Sequence, residues 1–158
     1  MFREMRKKPK RLSEERCIEL LKEQTRCVLS VQGDDGYPYG VPINYWYNEE
    51  NGKIYVHGGL IGHRVDAVRK NDKVCLTVFN QGYRNEGEWA YIVDSVIIFG
   101  RMTILTDKEE NERICRQLCY RFTDDEEYIN REIKGALART LVMELTIEHM
   151  TGKRIRES

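Results

Sequence analysis

The stretch Cys27 to Tyr47, CVLSVQGDDGYPYGVPINYWY, decides the fold. Cys27 to Gln32 is rich in β-branched and apolar residues, and it stops at Gly33-Asp-Asp-Gly36, a hairpin signal of Asp-Gly type. The chain must therefore return as a second strand, GYPYGVPINYWY. Pro38 and Pro42 lack the N–H a ladder needs and Gly40 weakens the pairing, so this strand cannot be paired normally on both sides. It is expected at an edge, or bulged, with backbone groups around Val41, Ile43 and Asn44 left to meet something else. The competing reading is a proline-protected edge that guards against aggregation.

Working outward, Asn48 to Gly52 is a second turn ending in Asn-Gly, and Lys53 to His57 is a third strand. Three antiparallel strands thus precede any intervening helix. Val74 to Phe79 and the segment from Tyr91 to Leu105 add two more, the latter the longest expected, with Gly100 as a bulge. A sixth comes from TLVMELTIEHM, where Leu141, Met143, Leu145 and Ile147 alternate as a half-buried strand requires. Helices are predicted from Ser13 to about Gln24, from near Gly62, from Asp107 to Phe122 and from Asp125 to Leu137. The expected fold is mainly β within the α+β class, a six-stranded antiparallel split β-barrel with peripheral helices.

At 158 residues the chain fits one domain with a real core. Residues 1–12, which carry RKKPKR, read as a mobile basic arm, and residues 13–158 as a single barrel domain. A nucleic-acid grip by the arm is the alternative to a solvated tail. Lys+Arg and Asp+Glu balance at 26 each, so no overall field attracts nucleic acid or an anionic membrane, and neither is an expected partner. Five scattered cysteines fit reduced, buried thiols, and with no signal-like start the protein is expected to be cytoplasmic.

The chemistry concentrates in Tyr55 to Arg64, YVHGGLIGHR, where a strand ends and a helix begins. Helix N-termini present unpaired N–H groups and partial positive charge, and glycines let an anion approach. Two cationic residues, His63 and Arg64, in that first turn oppose the helix dipole. A bound phosphate resolves the conflict; a free loop with both side chains solvated is the other reading. The spacing fits neither a P-loop nor a dinucleotide fingerprint. His57, at the strand end, is open to three readings: proton donor, metal ligand or packed imidazole. No metal site is expected, because His57, His63 and a distant cysteine have no ligand spacing. Cys115 and Cys119, one helical turn apart, read as core thiols.

The motifs G-x-P-x-G-x-P-x-N-Y (Gly36 to Tyr45) and H-G-x-x-x-G-H-[KR] (His57 to Arg64), followed by SVIIFGRM and IEHMTGKR, carry a resemblance over about Ser13 to Arg154. The chain resembles the pyridoxamine-phosphate-oxidase-like split-barrel flavoproteins and, within them, the nitroimidazole-resistance (Nim-type) group. That resemblance implies a homodimer with FMN in a cleft between subunits. It places Val41, Pro42, Ile43 and Asn44 against the isoalloxazine, Gly62, His63 and Arg64 at the phosphate, and Gly58 and Ser95 beside the cofactor. His57 becomes the candidate for proton delivery or substrate contact. The implied activity is reduction of a small electrophile, such as a nitroaromatic ring. The alternative on the same barrel is a non-catalytic flavin- or haem-binding or storage protein.

Overall fold

The structure, a computed structural model, describes residues 1–157. In chain order the elements are α1 (Glu14–Glu23), β1 (Arg26–Gln32), β2 (Pro38–Asn48), β3 (Lys53–Gly59), α2 (His63–Lys70), β4 (Lys73–Phe79), β5 (Ile92–Leu105), α3 (Lys108–Tyr120), α4 (Glu126–Ala136) and β6 (Thr140–Arg156). The strands close into a ring, β1-β2-β3-β6-β5-β4, with every neighbouring pair antiparallel. This is the expected six-stranded split barrel with four helices outside it.

Local chemistry sets the boundaries. Ser13 Oγ accepts from the Arg16 N–H at 3.2 Å, Asp107 from the Glu110 N–H at 2.8 Å and Asp125 from the Tyr128 N–H at 3.0 Å, each satisfying an orphan donor at a helix start. The β1–β2 turn passes through Asp35 at φ 55° and Gly36 at φ 80°.

Alternation along the strands then makes two cores. Leu29, Tyr45, Ile54, Leu76 and Ile98 fill the barrel, and Leu20 and Leu21 of α1 pack against them. The Tyr45 hydroxyl is buried and donates to the Leu21 carbonyl at 2.7 Å. The opposite faces of β3 and β6 present Tyr55 and Val142 to Ile114, Leu118 and Ile129 of α3 and α4, forming a second core outside the ring.

β2 is not an edge strand of the whole sheet; its two halves have different neighbours. Residues 38–44 pair with β1, and pairing with β3 begins only at Tyr45. The longest strand is β6, with 17 residues against 14 in β5, because the ladder to β5 continues past Met150 as far as Arg156. The register shifts between Phe99 and Gly100, as expected, and a Cβ on Gly100 would collide with the Thr146 carbonyl.

Of residues 1–12, expected as a mobile arm, Phe2 lies on the outer face of β5 and β6, while Arg11 bridges to Lys153 along β6 and Leu12 packs against the barrel core. The Leu12 N–H donates to the Gly152 carbonyl at 3.0 Å, and the Phe2 ring stacks 4.8 Å from His149. One buried carboxylate ties α1 to the sheet. Asp94 on β5, 3% exposed, takes two hydrogen bonds from Arg154, at 2.7 and 2.8 Å, and one from Arg16 Nε at 3.0 Å. Among the described residues no helix is long and apolar enough to cross a membrane.

Candidate functional site

The first half of β2 exposes backbone in a defined pattern. Just beyond the β1–β2 ladder, the Tyr45 N–H donates to the Thr25 carbonyl and the Gly33 N–H to the Tyr37 carbonyl. In an antiparallel pair the bonded positions alternate, so the odd-numbered residues of β2 face β1 and Pro38, Gly40, Pro42 and Asn44 turn their backbone groups away. The prolines sit where a missing N–H costs the ladder nothing. Val41 and Ile43, expected to offer backbone groups, spend theirs on β1, and the Ile43 side chain packs against the barrel core. The outward donors are Gly40 and Asn44, with Pro42 adding an outward carbonyl.

The α2 N-terminus meets the end of β3. Gly62, at φ 136°, has a backbone that other residues rarely adopt and starts the helix directly before His63. Arg64, in the first turn, folds back over β3 so that its guanidinium occupies the space a Cβ on Gly58 would fill. Its Nε is buried with no hydrogen-bond partner, and burial lowers the guanidinium's affinity for its proton. No carboxylate among the described residues pairs with it. A half-buried cation is normally paired, so Arg64 is chemically incomplete.

His63 is turned to another task. Its Nε2 accepts from the Asp34 N–H at 3.3 Å, and its ring stacks on Tyr39 with centroids 4.2 Å apart. Lys70 also reaches Asp34, at 3.2 Å. α2 is thereby fastened to the β1–β2 turn, which holds the open half of β2 beside Arg64.

His57 follows Tyr55 on the outer face of β3. Its Nδ1 is buried without a partner, and burial first, then the charge of Arg64, lower its pKa, so the ring is neutral near pH 7. It borders a cavity under α3 and α4 that also touches Cys115, Cys119 and Ile133. Burial pushes the Cys115 thiol up to about 11 and raises Cys119 too, which suits packed thiols rather than nucleophiles.

Val41 to Asn44, His57, Gly58 and Gly62 to Arg64 thus cluster on β2, β3 and the start of α2. Ser95 does not join them: it lies on β5 between Phe79 and Lys153, separated from β2 by β4 and β1. The Asp94 clamp and the α3–α4 cavity went unseen in the sequence. Asp94 stands 78 residues from Arg16, and no local pattern joins them.

The profile of the family described as pyridoxamine 5'-phosphate oxidase matches residues 13–154. The chain belongs to that family. No curated protein matches its sequence. Among solved structures, it is similar to a candidate 5-nitroimidazole antibiotic resistance protein from Bacteroides thetaiotaomicron, with TM-score 0.78 and 20% identity over 93% of this chain and 87% of that one. It is similar to an FAD-binding protein from Mesorhizobium loti, with TM-score 0.68 and 23% identity over 92% and 96% of the two chains. A third, an FAD- and haem-binding protein from Mycobacterium smegmatis, gives TM-score 0.72 and 20% identity over 91% and 72%. At these identities the likeness establishes the split-barrel fold; the chemistry must come from the residues.

Proposed function

We propose that this pyridoxamine 5'-phosphate oxidase family member is an FMN-dependent oxidoreductase that reduces a small electrophile, a nitroaromatic compound being one such substrate. The observation that carries the reading is Arg64: a half-buried guanidinium without a carboxylate, cradled by Gly58 at a helix N-terminus, is what a phosphate monoester requires. A bound flavin supplies reversible uptake of two electrons.

The chain's own residues do the rest. Arg64 and the N–H groups of the first turn of α2 hold the phosphate, and the φ of Gly62 opens that turn. Gly40, Pro42 and Asn44 offer outward N–H and carbonyl groups to the polar edge of a flat ring, while Val41 and Ile43 fix the strand from behind. His63 keeps the β1–β2 turn in place beside that site. His57, neutral with one ring nitrogen accessible, delivers a proton to the reduced substrate.

Ser95 stands too far around the barrel to reach a ligand at Arg64 from the same chain, so a contact with the cofactor would need a second subunit. The proposal includes a homodimer with FMN between subunits, the arrangement in which Ser95 of a second copy can reach the cofactor. The second reading, a non-catalytic flavin- or haem-binding module, draws on the accessible nitrogen of His57 and on the FAD- and haem-binding relative. The visible absorption spectrum of the purified protein, with the mass of the released ligand, tests both. Flavin bands that bleach under anaerobic reductant and return with a nitroimidazole support the oxidoreductase. A Soret band, or a colourless protein that FMN cannot reconstitute, overturns it.

A further inference from the structure

Between the outer face of β3 and the helices α3 and α4 lies a cavity of about 270 Å³. Its size suits a single substituted ring: a dry apolar cavity of roughly 150 Å³ takes one benzene ring. Ile133, Ala136 and Leu137 give it apolar walls, Cys115 and Cys119 add protonated thiols, and Glu132 lies exposed at the rim.

Thr123, Tyr128 and Thr140 add hydroxyl groups to the lining, and His57 adds an imidazole. Its Nδ1 is sealed from solvent and has no partner. A buried N–H without an acceptor is costlier than a bare lone pair, so the ring proton belongs on Nε2. The imidazole therefore offers one neutral N–H donor, and the positive charge of Arg64 beside it favours an electron-rich oxygen there.

We infer that this cavity binds the substrate: a planar one-ring molecule carrying an acceptor oxygen, nitro or carbonyl, with its ring between α3 and α4 and its oxygen at His57 Nε2. The inference deepens the proposed oxidoreductase and rests on it for the word substrate, but the binding event needs no flavin.

Nitrobenzene and toluene share shape and differ in the acceptor oxygens. In calorimetric titrations of the flavin-free full chain, nitrobenzene should bind at least tenfold tighter than toluene. Ala136→Phe, which fills the cavity, should weaken both at least tenfold, and His57→Phe should erase the difference between them. Equal affinities, or unchanged binding to Ala136→Phe, overturn the inference. A wild-type measurement covers a misfolded variant: saturating nitrobenzene should slow iodoacetamide alkylation of Cys119 at least fivefold and leave Cys75, on the far side of the sheet, unchanged. Unaltered alkylation of Cys119 also overturns it. Titration of the same sample with FMN separates the two claims. Protein that takes FMN but not nitrobenzene defeats this inference alone, and protein that takes nitrobenzene but no flavin supports it while defeating the flavin reading.

Discussion

Arginine occupies two opposite environments in this barrel. Arg16 and Arg154 converge on the buried carboxylate of Asp94, which they hold below its ordinary pKa, Arg154 contributing most. Arg64 is also drawn out of solvent, but it lies over the bare backbone of Gly58 with no carboxylate to meet it. A charge pair closed within one chain is structural. A cation kept half-buried and unpaired is destabilising on its own, and it makes sense as half of a pair whose other half is a ligand.

Breaking the closed pair should have the largest effect. Asp94→Ala leaves two arginines facing each other and should cost about 3 kcal/mol of stability in urea melts, the low end for a broken buried ion pair, with FMN affinity unchanged. The sign with pH follows from the lowered carboxyl. The stabilisation is present above the ordinary carboxylate value of 3.8 and is lost as pH falls through and below it. On the open side, His57→Gln should lower steady-state reduction of a nitroaromatic by about 100-fold, the lower range for a proton donor, and retain FMN. Loss of the flavin from that variant would place His57 in the cofactor site instead.

The sequence revealed the elements because their signals are local: Ser13, Asp107 and Asp125 cap their own helices, and the Asp-Gly and Asn-Gly turns close their own hairpins. It revealed Arg64 as a candidate because glycines and a cation crowd one helix start. Long-range facts were illegible. Asp94 meets Arg154 across 60 residues, and the outward turn of Gly40 and Asn44 depends on the register of β2 against β1. The contacts of the His63 ring with Asp34 and Tyr39 likewise join residues distant in sequence.

Smaller effects sharpen the contrast. Gly58→Ala should push the Arg64 guanidinium aside and loosen FMN a few-fold, and it should add little on top of Arg64→Ala because both act on one contact. A pH titration of stability should show a shallow slope from His57. Below its ordinary value of 6.5 the unfolded chain binds a proton that the buried ring resists, so stability declines as pH falls from 6.5, and His57→Gln should flatten that decline.

The most direct test compares FMN with riboflavin, which lacks the phosphate, on the wild type and on Arg64→Ala. If Arg64 is completed by a phosphate, the wild type should bind FMN at least about tenfold tighter than riboflavin, since hydrogen bonds to a charged group contribute about 1.5–3 kcal/mol. Arg64→Ala should bring the two affinities close together while keeping the thermal stability of the chain. Equal affinities in the wild type, or a preference for FMN that survives Arg64→Ala, would contradict the account.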